Sequence, residues 1–371
     1  MTTGNSSTRP RLPHSAPRLL AMLLAIALMT GTVPAVAEDP TAGQVLKLTY
    51  PTPTTSKPKA TNNLQVYLPK GYDPRRSEPY PVLYLAHGVP GAESDWMTAG
   101  DAPRIVEDAI AAGVTQPFVI VTNKYSGWVK PEIYSADLIN NLIPFAESQF
   151  NIAKTASGRA VGGLSWGGAL AIWLFYHHPD IFEYFGGWSA STEYVAPTSS
   201  QLPGMQAVQG GLHSVVGASD RDTVSGATLI QATHQRENGL TTMGMKVKAV
   251  TVEGGHSWAV WRLALTDFVR SYAFKATTLS LEIDVGQETT LVAKVAGLTN
   301  QPIQPSGQVS FYADKVLLGV ADLDQGIASW TTTLGKTEVM AIYSGDTRYS
   351  SSTSHPSLPR PRILTGGAVA S

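Results

Sequence analysis

The amino-acid sequence predicts an α/β domain with a mostly parallel sheet, followed by a small all-β sandwich. Two observations carry this prediction. From Pro81, short apolar runs such as PVLYLAH and PFVIVTN alternate with amphipathic stretches, a pattern typical of buried parallel strands covered by crossover helices. After Lys275 the composition shifts to Thr, Ser, Val and Gly, and apolar residues recur with a period of two. That period is typical of the short strands of a sandwich.

The overall composition is that of an ordinary globular protein. The chain has 371 residues, of which 43% are hydrophobic and 15% charged, so it can bury more than one core. Its formal net charge of −1 gives no electrostatic footprint for nucleic acid or an anionic membrane. The chain contains no cysteine, which excludes disulfides and thiol chemistry.

The N-terminal segment has the order of a secretory signal. Residues 1–37 contain three arginines and no acid, and the apolar run LLAMLLAIALM at 19–29 precedes Ala-Val-Ala at 35–37. This order predicts cleavage after Ala37 and export of the protein. The apolar run is too short for a membrane-spanning helix. A buried core helix is the alternative, but no earlier segment exists against which it could pack.

Changes in composition and in the period of the apolar residues divide the chain into four predicted segments. They are a signal peptide at 1–37, the α/β domain at 38–275, the sandwich at 276–354 and a disordered tail at 355–371. Within the α/β domain, the sequence predicts a helical region at 224–239.

Apolar spacing supports the elements on both sides of the domain boundary. The last helix of the α/β domain follows the GGHSW segment, is predicted to end near Lys275, and carries on one face Trp261, Leu265, Phe268, Val269 and Tyr272. In the sandwich, the alternating apolar residues are Leu291, Ala293, Val295, Val309, Phe311, Val339, Ala341 and Tyr343.

Ser165 lies in a G-x-S-x-G motif, Gly163 to Gly167. The motif follows a predicted strand and precedes a predicted helix, as required for a sharp turn that lifts the serine hydroxyl clear of a sheet. Glycines are needed where such a turn leaves no room for Cβ atoms. The sequence therefore predicts a nucleophile at Ser165, and the alternative is a serine that caps the following helix.

A serine nucleophile needs a base, and His256 is the predicted one. It stands in the glycine-rich segment VEGGHSWAVW, after a strand and before the last helix. A side chain in such a loop can reach a serine at the carboxyl edge of the sheet. The alternative is a structural loop histidine. His177 and His178 end a helix, where interaction with its carbonyls is expected instead.

The predicted acid is Asp220, which follows a strand in the segment VVGASDRDT. This position fits the chain order serine, acid, histidine. Asp222 is the second candidate, but it lies further from the strand end, and an aspartate that bonds its own turn is the alternative reading there. Glu253 is a weaker candidate because it is only three residues from His256.

Acyl transfer also requires two backbone N–H groups for the oxyanion. The N–H of Trp166, directly after the nucleophile, is one candidate. The loop HGVPGAESDW at 87–96 is expected to provide the other, and we assign it to Val89 because Pro90 has no N–H. A purely structural turn at Gly88 is the alternative.

With these motifs the chain resembles the "Putative esterase" family of α/β-hydrolases. This family includes secreted feruloyl esterases, enterochelin esterases, S-formylglutathione hydrolases and mycolyltransferases. The resemblance covers roughly residues 62–275 and rests on segments in family order: VYLPKGYDP, YPVLYLAHGVPGAESDW, GDAPRIVEDAIAAG, LIPFAESQF, GLSWGG, HHPDIF, GASD and EGGHSWAVW. It implies an α/β-hydrolase fold and a triad of Ser165, Asp220 and His256, because the GASD segment matches the acid loop of the family. The chain departs from the family at Trp166, where methionine is common, so substrate size does not carry over.

The second domain resembles the bacterial Ig-like repeat of secreted and surface proteins. The matching segments are GQVSFYADKVLLGVADL, GIASWTTTL and MAIYSGDTRYSSST. Such modules act as spacers or adhesive elements, and Trp330 alternates with core positions, which favours a core role for it.

These patterns together predict a secreted serine carboxylic-ester hydrolase that acts through an acyl-serine, with feruloyl or acetyl esters of polysaccharide suggested by family analogy alone. No metal or cofactor is expected, because no ligand cluster has metal-site spacing and GGLSWGG lacks the lysine of a phosphate loop. The expected partners are a small or polysaccharide-linked ester and, for the Ig-like domain, a cell surface or polysaccharide; no nucleic acid or membrane span is expected. The alternatives are a mycolyl-type acyltransferase with a sugar acceptor and a non-catalytic adhesion protein.

Overall fold

A computed structural model of the chain describes residues 43–53, 59–299, 303–335 and 337–359. The predicted signal peptide at 1–37 and most of the predicted tail lie outside these ranges. Within them, no helix is both long and apolar enough to cross a membrane.

The first part of the chain forms an eight-stranded sheet in the order β1-β2-β4-β3-β5-β6-β7-β10. Strands β1 and β2 run antiparallel to their neighbours, and the other six strands are parallel to one another. The mostly parallel sheet predicted from the apolar runs is therefore confirmed. The strands of this region are β1 Gln44–Pro51, β2 Thr61–Leu68, β3 Val82–Ala86, β4 Val119–Asn123, β5 Arg159–Leu164, β6 Tyr184–Trp188, β7 Gly211–Gly217, β8 Thr223–Val224, β9 Ala227–Thr228 and β10 Val247–Val252.

Helices cover both faces of this sheet and build a separate apolar cluster on each face. A π-helical turn, Leu138–Leu142, joins the second helix to the third. The fourth helix, which follows the serine motif, is apolar all round and mostly buried, as expected for a helix in the interior of a domain. The helices are α1 Ala102–Ala111, α2 Pro131–Asp137, α3 Ile143–Gln149, α4 Trp166–His177, α5 Leu202–Ala207, α6 Leu229–Thr242 and α7 Trp258–Ser271.

The structure corrects the helical region predicted at 224–239. Strands β8 and β9 form a two-stranded hairpin there, whose turn residues Ser225 and Gly226 have φ angles of 50° and 84°. Positive φ at both turn residues suits a two-residue hairpin. Helix α6 begins only afterwards, where Thr228 and Gln231 form a reciprocal capping box.

Helix α7 buries the face predicted for it. Four of the five predicted residues are at most 7% exposed, and they pack in the cluster on that side of the sheet: Trp261, Leu265, Phe268 and Val269. Tyr272 packs against the same cluster, just beyond the observed helix end at Ser271.

The C-terminal part of the chain forms two antiparallel sheets, β11-β12-β15 and β14-β13-β16-β17. Its core contains every alternating apolar residue singled out in the sequence, and Trp330 packs against that core. Beyond the predicted boundary at 354, Ser357 still pairs with Val339 of β16. The strands are β11 Thr277–Val285, β12 Thr289–Gly297, β13 Gln308–Ala313, β14 Val316–Asp322, β15 Ile327–Thr332, β16 Val339–Tyr343 and β17 Ser352–Thr353.

The link between the two parts is short and buried. Lys275 Nζ donates hydrogen bonds to the carbonyl oxygens of Val114, at 2.6 Å, and Thr347, at 2.9 Å. Thr299 Oγ1 donates to the carbonyl oxygen of Ser157 at 2.8 Å. These bonds join the sandwich directly to loops of the α/β region.

Candidate active site

Ser165 occupies the turn between β5 and α4 in a strained backbone conformation, with φ 52° and ψ −118°. The flanking glycines are required by contact between backbones. A Cβ on Gly163 would lie 2.4 Å from the carbonyl carbon of Gly167, and a Cβ on Gly167 would lie 2.4 Å from the carbonyl oxygen of His87. Within the described part of the chain, the Ser165 side chain makes no capping hydrogen bond to α4, so the helix-cap alternative is wrong.

The structure brings Ser165, His256 and Asp220 into one hydrogen-bonded series. His256 Nε2 lies 3.0 Å from Ser165 Oγ, and His256 Nδ1 lies 3.0 Å from Asp220 Oδ2. In the neutral imidazole, Nδ1–H donates to the carboxylate and Nε2 accepts from the serine hydroxyl. Asp220 is buried, and the His256 side chain is 19% exposed. The serine can therefore pass its proton to a base whose orientation is held by a buried carboxylate.

Two adjacent loops hold Asp220 and His256 in place. The N–H of Asp220 donates to the carbonyl oxygen of Gly217 at the end of β7, and the N–H of Ser219 donates to the carbonyl oxygen of Gly254 in the loop after β10. The Trp261 ring of α7 meets the His256 ring edge-on, with centroids 5.0 Å apart. The acid and the base are therefore positioned by the carboxyl ends of neighbouring parallel strands.

The other two acid candidates occupy different positions. The Asp222 side chain is 62% exposed, and its Oδ2 lies 3.7 Å from Nε2 of His256, on the side of the ring that faces Ser165. Glu253 is exposed, and no hydrogen bond between the described residues joins it to His256. Neither carboxylate reaches Nδ1, so Asp220 alone has the geometry of the orienting acid.

Two of the remaining histidines are tied into the structure. His213 is fully buried, accepts a hydrogen bond from Trp188 Nε1, and lies 2.8 Å from Asp267 Oδ2; burial lowers its pKa. His177 stacks on the Trp173 ring and bonds its carbonyl oxygen at 2.9 Å, which agrees with the helix-end role expected for it.

Val89 and Trp166, the predicted oxyanion residues, belong to two different segments near Ser165. Val89 follows His87 and Gly88 in the loop after β3, and a Cβ on Gly88 would lie 3.3 Å from the Ser165 Cβ. Trp166 is the first residue of α4. Both backbones therefore run close to Ser165, and their role as oxyanion donors stays a prediction.

The Trp166 indole is held by two neighbours. Its Nε1 donates to the carbonyl oxygen of Val129 at 3.1 Å, and its ring meets the exposed Trp128 edge-on at 5.1 Å. The indole at this position, where methionine is common in the family, is therefore held by a backbone hydrogen bond and by a second tryptophan ring.

Sequence reasoning missed two residues near the site. Ser191, after β6, places its Oγ 3.1 Å from Ser165 Oγ. His87 is buried, stacks on Tyr125 and donates from Nδ1 to the carbonyl oxygen of Gly88, and burial lowers its pKa. The sequence signal that could have identified them is their position, because both residues follow parallel strands at the sheet edge that carries Ser165.

One group of side chains in the described ranges has the spacing of a metal site. One ligand atom from each of Asp220, Asp222 and His256 lies within 4.8 Å of the others. Both nitrogens of His256 already have hydrogen-bond partners, so a metal ion would have to replace one of them. The hydrogen-bonded series described above accounts for His256 and Asp220, whereas Asp222 lies outside it.

Comparison with known proteins gives two family matches. Residues 55–272 match the family described as "Putative esterase", and residues 276–358 match the bacterial Ig-like domain, group 3.

Among curated proteins, the chain is 30% identical over 250 residues to an endo-1,4-beta-xylanase/feruloyl esterase of Xylanibacter ruminicola, a match that covers 64% of this chain and 32% of that one. It is 26% identical over 234 residues to an uncharacterized protein of Corynebacterium glutamicum, and this match covers 54% of each chain. The chain thus spans about a third to a half of the length of these two relatives.

Among solved structures, the chain is similar to a ferulic acid esterase with a TM-score of 0.54 and 19% identity, covering 62% of this chain and 97% of that one. A ferulic acid esterase from the fungus Anaeromyces mucronatus gives a TM-score of 0.52 and 20% identity, covering 62% and 90%. At these identities the likeness establishes the fold of the first region.

Proposed function

Because the chain belongs to the "Putative esterase" family, we propose that it is an exported serine esterase that cleaves carboxylic esters through an acyl-Ser165 intermediate. The observation that carries the mechanism is the Ser165–His256–Asp220 series, with both hydrogen bonds at 3.0 Å. This arrangement fits activation of a serine hydroxyl by an oriented base.

Each residue of the series has a defined role in the proposed reaction. As Ser165 Oγ attacks the ester carbonyl, His256 Nε2 takes its proton, and Asp220 stabilises the imidazolium. The N–H groups of Val89 and Trp166 bind the oxyanion. His256 then returns the proton to the leaving alcohol as the ester C–O bond breaks.

Water completes the cycle. It loses a proton to His256 and attacks the acyl-Ser165 carbonyl, and the carboxylic acid leaves as Ser165 recovers its proton. The covalent intermediate divides one difficult displacement into two easier ones.

The substrate proposed for this site is an ester linked to a polysaccharide, of the feruloyl or acetyl kind. Its support is the xylanase/feruloyl esterase relative together with the predicted signal at 1–37, since a polymer of the plant cell wall is met outside the cell. The Ig-like region is proposed to act as a spacer or to contact polysaccharide or a cell surface. The comparisons favour neither the mycolyl-type acyltransferase nor the non-catalytic adhesion protein.

A fluorophosphonate probe tests the nucleophile directly, because it reacts with activated serines. We expect mass spectrometry to locate the label on Ser165 of the purified mature chain, and Ser165→Ala to remain unlabelled and inactive on small esters. Circular dichroism of both proteins controls for folding. A folded wild-type protein that takes no label would contradict the mechanism.

A further inference from the structure

A cavity of about 370 Å³ is lined by α4, the helix that begins directly after Ser165. Its wall includes Trp166, the residue after Ser165, and Thr192, the residue after Ser191. Much of the remaining wall is apolar and comes from one side of α4: Ala169, Ile172, Trp173 and Tyr176. An apolar chain attached to Ser165 would therefore find a matching surface beside the site.

Arg236 of α6 also lines this cavity, although its side chain is only 1% exposed. Its Nη2 donates to the carbonyl oxygen of Thr192 at 2.5 Å. Its Nη1 is buried and has no hydrogen-bond partner in the part of the chain that the structure describes. Burial lowers the pKa of the guanidinium to about 10, so the group is charged at neutral pH.

The charge of the buried Glu237 acts on Arg236, but no carboxylate among the described residues forms an ion pair with the guanidinium. Glu237, its neighbour along the helix, directs Oε2 to His234 at 2.9 Å and forms no ion pair with Arg236 within 4.0 Å. Glu193 lines the cavity, but it is exposed, where solvent and salt screen its charge.

A buried guanidinium with a free N–H is costly unless an acceptor reaches it. A neutral oxygen would satisfy the free N–H of Nη1. A carboxylate would also place a negative charge in direct contact with the guanidinium, and such a bond is charge-assisted and strong. The side chain thus favours an anionic acceptor over a neutral one.

We propose that the cavity binds the acyl part of the substrate and that Arg236 binds a carboxylate at the far end of it. Among straight aliphatic acyl groups of equal length, the preferred ester is then a half-ester of a dicarboxylic acid, with its methylene chain along α4. This inference rests on the proposed function, because it places the near end of the acyl group on Ser165.

The test compares two esters of equal chain length, 4-nitrophenyl hemiglutarate and 4-nitrophenyl valerate, with 4-nitrophenyl acetate as reference. We expect the wild-type protein to prefer the hemiglutarate in kcat/KM, through KM. Arg236→Met should lower the ratio of kcat/KM for the hemiglutarate to kcat/KM for the valerate by about 10- to 100-fold. Arg236→Lys should restore part of the preference, since it keeps the charge without the fork geometry.

Arg262→Met is the matched control, because Arg262 also donates to a loop carbonyl oxygen, that of Ala99, outside the cavity. We expect it to leave the ratio between the two esters unchanged. If Arg236→Met slowed all three esters equally, its role would be to hold the Thr192 loop, and the proposal would be overturned.

Ligand binding keeps the proposal testable if Arg236→Met does not fold. In Ser165→Ala, which leaves Arg236 intact, glutarate should raise the melting temperature more than valerate does. Equal shifts, or a wild-type protein that hydrolyses acetate without preferring hemiglutarate, would overturn the proposal while the esterase mechanism stands. A wild-type protein that is neither labelled by fluorophosphonate nor active on 4-nitrophenyl acetate would instead contradict the esterase mechanism. This inference, which rests on that mechanism, would then fail as well.

Discussion

Two aspartates lie beside the His256 ring, and their positions separate their roles. Asp220 is buried and bonds Nδ1, whereas Asp222 is largely exposed and lies 3.7 Å from Nε2. A buried carboxylate on Nδ1 fixes the tautomer that leaves Nε2 free to accept a proton. An exposed carboxylate contributes little, because water and salt screen it.

The two aspartates give a matched pair of variants. We expect Asp220→Asn to lower kcat for a small ester by about 10⁴-fold, as loss of the orienting carboxylate does in serine enzymes. Asp222→Asn should change kcat by less than about fivefold. Steady-state kinetics on both proteins, with thermal melts to verify folding, measures the difference, and equal losses would contradict the assignment of Asp220.

The strand–turn–helix element formed by β5, Ser165 and α4 depends on close contact between backbones. At Gly167, an added Cβ would meet the carbonyl oxygens of His87 at 2.4 Å and Ala86 at 2.5 Å. Backbone atoms of a buried strand cannot shift as the end of a flexible side chain can. The element that exposes the nucleophile therefore tolerates no side chain at this glycine.

Gly167→Ala is accordingly expected to lower the free energy of unfolding by about 1–3 kcal/mol, as overpacking does, and to abolish labelling of Ser165 by the fluorophosphonate. Gly335→Ala is the control, because a Cβ there has no neighbour within 4 Å. Urea melts and probe labelling of the two variants measure the effect. A labelled and equally stable Gly167→Ala protein would show that the turn can widen.

At the scale of the whole molecule, the two regions share a buried junction. Lys275 donates to carbonyl oxygens on both sides of it, and its burial lowers its pKa to about 8, below the usual 10.5 of the side chain. The neutral amine keeps two N–H donors, which are enough for both carbonyls. Burial therefore makes the charged form of Lys275 less favourable in the folded chain than in the unfolded one.

The lowered pKa of Lys275 predicts how folding stability depends on pH. Between about pH 8 and 10.5 the unfolded chain binds the Lys275 proton more strongly than the folded chain, so the contribution of Lys275 to folding stability rises with pH across that window. We expect the free energy of unfolding of the wild type, relative to that of Lys275→Met, to increase from pH 7.5 to pH 10. Urea melts across this range provide the test, and a difference that is constant with pH would contradict the shift.

Removal of the sandwich tests the proposed boundary between the domains. We expect residues 38–275 to hydrolyse a small ester at a rate within a few-fold of the mature chain, because Ser165, Asp220 and His256 all lie inside them. The fragment should melt at a lower temperature, since it loses the bond from Thr299 to Ser157. A folded but inactive fragment would mean that the sandwich contributes to the site.

Much of the fold could be predicted because the signals are local. Apolar runs, helical spacing and a period of two identified the parallel sheet, α7 and the sandwich core, since each depends on residues close together in the chain. The helix predicted at 224–239 was wrong at its start, where the turn at Ser225 and Gly226 closes a hairpin. The Ser-Gly pair that marks this turn was present in the sequence, but the helical pattern directly after it led to a helix being predicted there too.

By itself, the sequence determined that a serine stands in a tight turn between a strand and a helix, and that an acid and a histidine follow in order. The sequence favoured Asp220 over Asp222, but only the tertiary structure decided which atoms meet: Asp220 Oδ2 with His256 Nδ1, and the hydroxyl of Ser191 with that of Ser165. The physical reason is that the ends of separate parallel strands converge at one edge of the sheet. Residues 91 positions apart, Ser165 and His256, become neighbours there through packing that no local pattern records.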